Sequence, residues 1–193
     1  MENNRLSENI ILADADYIDK VAFDLTVNFE RMIGRRIPKA DMPRWIDCIA
    51  LDGGIRQGDN EVQVILVHNA GKEQLDNFSP SSYKEELDGK AFKDHLGEFQ
   101  LSAIRVEEMT DKEHLFCDAL MHVCSQPEVK RVMAIPNAEE YYDGVRQALR
   151  NIDDEKRVTV FAMQPMTGGN FRQEILGYSL MAALGISADE IKN

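Results

Sequence analysis

The stretch WIDCIALDGGIRQGDNEVQVILVHN, Trp45 to Asn69, decides between a purely parallel sheet and a mixed one. Two runs of β-favouring residues, Trp45 to Leu51 and Val62 to His68, flank a polar, glycine-rich connection. That connection is too short for a helix, and strands joined without a crossover pair antiparallel. The reading is a hairpin, and with it a mixed sheet.

Upstream, NIILADA (9–15) is a short apolar run ending in acid, as a buried strand would. From Ile18 the apolar residues Val21, Ala22, Leu25, Phe29, Met32 and Ile33 follow a helical period that Gly34 closes. Downstream, NAGKEQLDNFSPSS (69–82) has the composition of a mobile loop, and SYKEELDGKAFKDHLGEF (82–99) reads as a weaker helix interrupted by Gly89. A strand from Phe99 to Val106 follows, then a helix opened by a Thr110–Glu113 capping box and running to about Ser125. VKRVMAI (129–135) and RVTVFAM (157–163) are strands; Asn137 with Glu140 opens the next helix, and Asn170 heads the last, which Gly185 ends. The expectation is one α/β domain over 1–193, a three-layer α-β-α arrangement around a mixed, mostly parallel sheet of about six strands including one antiparallel hairpin.

The chain carries a net charge of −12, which works against polyanionic partners, so nucleic acid is not expected. A basic segment, RMIGRRIPKADMPR (31–44), reads as a solvated loop. No apolar run approaches the ~18 residues of a membrane span, and MENNRLSENI lacks a basic region followed by an apolar one, so no membrane association and a cytoplasmic location are expected. Cys48, Cys117 and Cys124 form no CxxC and are odd in number, which fits small buried hydrophobes rather than a disulfide framework.

Ligands of open α/β sheets bind beyond the carboxyl ends of the strands. Asp14 and Asp16 lie at such an end and, with Asp52, could hold a divalent metal for phosphoester hydrolysis. In this one respect the chain resembles nucleases of the PIN and NYN type; the later carboxylates such enzymes need do not follow VMAI or VFAM. The simpler reading makes Asp16 a helix N-cap, with Asp19 favouring the same helix end. No metal and no cofactor are expected. QPMTGGNF (164–171) offers backbone N–H groups ahead of a helix, so Thr167, Gly168 and Gly169, with Asn137 and Gln164 alongside, are the candidate site for a small anionic ligand. His114, Asp118 and His122 read as a solvated stripe, and Cys48 inside a strand has no turn to expose it to His68 as base.

In NFRQEILGYSLMAALG (170–185) apolar residues go all round the helical wheel, whereas a helix on a sheet needs one apolar stripe. Leu176, Leu180, Met181 and Leu184, with Phe23 and Val27 of the first helix, are therefore the expected interface of a homodimer. The functional expectation is a self-associating binding or assembly protein; the alternatives are the metal-dependent phosphoesterase or nuclease and a structural subunit of a larger complex.

Overall fold

The computed structural model describes residues 5–191. The chain runs through β1 (Asn9–Asp14), α1 (Ala15–Ile33), β2 (Ala40–Asp41), α2 (Met42–Asp52), β3 (Asn60–Asn69), β4 (Phe78–Ser79), a π-helical turn (Tyr83–Leu87), β5 (Ala91–Asp94), β6 (Gly97–Val106), α3 (Lys112–Ser125), β7 (Arg131–Ile135), α4 (Ala138–Ala148), β8 (Arg157–Ala162), β9 (Arg172–Ile175), α5 (Leu176–Ala183) and α6 (Ala188–Ile191). The main sheet has seven strands in the order β5-β6-β3-β1-β7-β8-β9, all parallel except the β5·β6 pair. β2 and β4 form a separate two-stranded pair. Alternate residues of β1 face opposite ways: Ile11 and Ala13 pack with α1, α2 and α5, while Ile10 and Leu12 pack with α3 and α4. Helices thus cover both faces, and the α/β class with its mixed sheet stands as expected.

The hairpin lies elsewhere. Trp45–Leu51 is not a strand but most of α2, capped by Asp41, whose carboxylate accepts from the Arg44 N–H at 3.2 Å, with proline in the first turn. Met42, Trp45, Ile46, Ile49 and Ala50 form its buried face. With a helix in the connection, β1 and β3 pair in parallel. The antiparallel pair is β5·β6: β5 falls within the segment expected to be helical, and β6 is the expected strand 99–106 begun two residues earlier. Its turn closes from Asp94 to Gly97, where φ is +136° and a Cβ would overlap the Asn60 backbone.

The 69–82 loop is anchored: Asp19 accepts from the Asp76 N–H (3.0 Å) and Asn77 N–H (2.8 Å), and Phe78 and Ser79 pair with β2. Within the basic segment, Arg35 makes a forked pair with Glu190.

The last helix also differs. Arg172–Ile175 is an added edge strand, so α5 begins at Leu176 rather than Asn170. Leu176, Leu180 and Leu184 are buried between the sheet, α1 and α2, and Met181 packs against the same core. The second cover that its all-round apolar surface demanded comes from α2, once that segment is a helix. The expectation that these residues meet a second copy is corrected accordingly. Phe23 and Val27 do remain exposed on α1, as does Tyr178 on α5. Among the described residues no helix is long and apolar enough to cross a membrane.

Candidate functional site

In chain order the parallel strands fall as 3-2-1-4-5-6, and the order reverses between β1 and β7. β1 leads into α1 on one face and β7 into α4 on the other, so a crevice opens at their carboxyl ends. β1 passes to α1 with no loop at all.

Asp14, fully buried, is the N-cap of α1 and accepts from the Tyr17 N–H at 3.1 Å. Asp16, the expected cap, instead stands in the first turn. The Tyr141 hydroxyl donates to the other Asp14 oxygen at 2.7 Å, and Lys112 Nζ lies 3.1 Å from Asp14 and 2.8 Å from Asp16. Asp16 also accepts from the Asn69 N–H, at the end of β3, at 2.8 Å. One lysine at the start of α3 thereby ties two acids at the end of β1, and α4 closes the group from the far side.

Burial pushes the Asp14 carboxyl up, against the pull of Lys112, Tyr141 and the Tyr17 N–H. Burial also opposes the charge on Lys112, but Asp14 and Asp16 outweigh it and hold the ammonium above its ordinary value. Desolvation pushes the Tyr141 phenol up, so it stays a proton donor. Asp14 accepts from the Tyr17 N–H and the Tyr141 hydroxyl and pairs with Lys112, which leaves this carboxylate neither a free base nor a free nucleophile.

What remains open lies around it. The crevice, about 560 Å³, is lined among others by Lys20, Asn137 and Glu140. Asn137 caps α4 in position only: its side chain makes no capping bond, and its Oδ1 is buried without a partner. Tyr141 has φ −137° and ψ 37° inside α4, so the helix is irregular where it reaches Asp14.

The dinucleotide mode of such sheets is closed here. That mode seats a pyrophosphate on the N-terminus of the first helix, where a glycine-rich loop makes room. In this chain the Asp14 carboxylate already holds that helix end.

The other expected site residues are dispersed. Asp52 ends α2 beside Gly53 and Gly54, which pack on Met133 and Arg131 at the amino end of β7. It is therefore at the opposite edge of the sheet from Asp14, roughly 16 Å away along a six-residue strand. Among the described residues no three His, Cys, Asp or Glu side chains are grouped to hold a metal. Thr167, Gly168 and Gly169 do not precede a helix; the Gly168 carbonyl accepts from the Tyr142 hydroxyl (2.9 Å) and the Thr167 carbonyl from Arg146 Nη1 (3.5 Å). Gln164 is exposed beyond β8, and of that group only Asn137 reaches the crevice. His68 is stacked on Tyr83 with centroids 3.8 Å apart, and its Nδ1 meets the Asn69 carbonyl. Cys48 is half-buried on α2, where burial raises its thiol.

A family profile covers residues 3–191, nearly the whole chain. The chain belongs to DUF6621, a family of unknown function. No curated protein and no solved structure matches it. In this DUF6621 member Lys112 and Tyr141 are the site residues that the sequence reading passed over. Lys112 is separated from Asp16 by 96 positions, and nothing local signals their meeting.

Proposed function

We propose that this chain is a binding protein that takes a small polar molecule in the crevice between β1 and β7. The observation that carries the reading is Asn137 Oδ1, buried and unpartnered beside a carboxylate pair locked by Lys112. An orphaned buried acceptor costs about 1–3 kcal/mol, which a ligand donor would recover. The lining has four carboxylates, on Asp16, Asp111, Glu113 and Glu140, against Lys20 and Lys112. That balance favours hydroxyl- or amine-bearing ligands over the small anion expected near Thr167. The test is an amide NMR titration with glycerol, a hexitol and a diamine. Saturable shifts at Asn69, Asn137 and Tyr141 that vanish in Asn137→Leu support the proposal; their absence with all three probes overturns it.

A second reading, a metal-dependent phosphoesterase, draws on the convergence of Asp14 and Asp16 upon one cation, with a divalent ion displacing the Lys112 ammonium. It requires Mn²⁺-dependent phosphodiester hydrolysis that Asp14→Asn abolishes. A melting temperature indifferent to Mn²⁺ argues against it. Self-association into a homodimer, or docking as a subunit of a complex, now draws on exposed side chains such as Phe23 and Val27 of α1 and Tyr178 of α5. Sedimentation of the wild type and of Phe23→Asp tests the homodimer. A cytoplasmic location belongs to the same proposal, supported by three thiols that are each unpaired.

A further inference from the structure

At the opposite edge of the sheet, a cleft of about 310 Å³ opens between the end of α2, the start of β7 and β8, and β9. Four cations line it, Arg131, Lys156, Arg157 and Arg172, against the two carboxylates of Asp153 and Asp154. This is the reverse of the chain's net charge of −12. Arg131 and Arg157 are paired residue on residue in the parallel β7·β8 register, so two guanidiniums start neighbouring strands. Like charges so placed repel each other. Neither is in an ion pair among the described residues, whereas Arg172 is shared with Glu174 at 3.1 Å. Burial, with Arg157 and Arg56 close by, pulls the Arg131 guanidinium below its ordinary value.

The geometry at Arg131 is more specific than a charge balance. Its Nη1 donates to Asn9 Oδ1 at 3.2 Å, which fixes the fork, while Nε is buried with no partner. Nε and Nη2 form the edge of a guanidinium that binds an oxyanion with two parallel hydrogen bonds. Gly54 faces that edge: a Cβ there would come into van der Waals contact with it, 3.7 Å from Nε and 3.8 Å from Nη2, so glycine leaves the most room beside it. Gly54 has φ +95°, which also favours glycine there. Leu149, Val158 and Phe171 supply an apolar wall beside the cations.

We propose that this cleft is an anion site for a small phosphate monoester, with the phosphate forked by Arg131 and shared with Arg157, and the organic group against Phe171. The site is separate from the crevice at Asp14 and stands whether or not that crevice binds a ligand. Calorimetric titration of the full chain with phenyl phosphate and with inorganic phosphate, at low and matched ionic strength, tests it. Phenyl phosphate saturates one site and binds more tightly than inorganic phosphate, and Arg157→Gln weakens it about tenfold, as loss of one charge-assisted contact implies. Arg157 is exposed, so this variant tests the site without opening the core; Arg131→Gln is expected to abolish binding. Arg35→Gln, which removes a cation outside the cleft, leaves the affinity unchanged. No saturation by either probe, or phenyl phosphate binding that Arg157→Gln leaves unaltered, overturns the proposal; equal affinity for the two probes overturns the assignment to a monoester.

Discussion

Lys112 faces a carboxylate that has no access to water and supplies the cation paired with it. Breaking a buried pair by removing one partner costs about 3–5 kcal/mol. Lys112→Met is expected to lose stability of that order in denaturant titration, and a change under ~1 kcal/mol would show that Asp14 is neutral in the native state. A different acid gives a pH signature. Asp47 on α2 is pushed up to about 7, chiefly by burial and then by Asp94 and Asp41. The folded protein therefore keeps a proton that the unfolded chain loses near pH 4. The stability this contributes is full below pH ~4 and is lost as pH rises through ~7. Asp47→Asn should melt higher than wild type at pH 8, on the order of 1 kcal/mol after allowance for partial exposure, and the two should converge near pH 4. Parallel melting profiles at both pH values would contradict the assignment.

At the scale of elements, α5 is held by its own chain. Leu180→Ala should cost about 2–5 kcal/mol, as for other buried leucines, with no change in sedimentation. A change of mass instead would restore this helix to an interface. How far the elements were legible follows from the same region. The alternation from β6 through α3, β7, α4 and β8 is legible from local apolar periods. Its caps are not: Asp111 rather than Thr110 caps α3, Asn137 makes no capping bond, and β9 replaces the helix start expected at Asn170. α2 was misread since Trp45, Ile46 and Ile49 favour strands when weighed one at a time. Their spacing with Met42 and Ala50, after Asp41 and beside Pro43, is a helical stripe. Placing that segment in the sheet both misplaces the hairpin and leaves α5 without its intramolecular cover. The site was legible only in part: the strand end at Asp14 marks it, but Lys112 and Tyr141 arrive through tertiary packing that no local pattern encodes.

For the whole molecule, an excess of twelve negative charges repels itself at low ionic strength. Raising NaCl from 10 to ~200 mM shortens the screening length to under 10 Å and should raise the melting temperature. A fall instead would mean that local pairs such as Lys112 with its two aspartates outweigh the global field. The sheet also separates charge along its strands, acidic lining at the carboxyl edge and arginines at the amino edge.

The immediate passage from β1 into α1 leaves one bank of the crevice without slack. Any accommodation must come from the opposite bank, where the irregular turn at Tyr141 already departs from helical geometry. Entry into the site would then be paced by the fluctuation of that single turn rather than by diffusion, and association would be slow while the complex, once closed, would be long-lived.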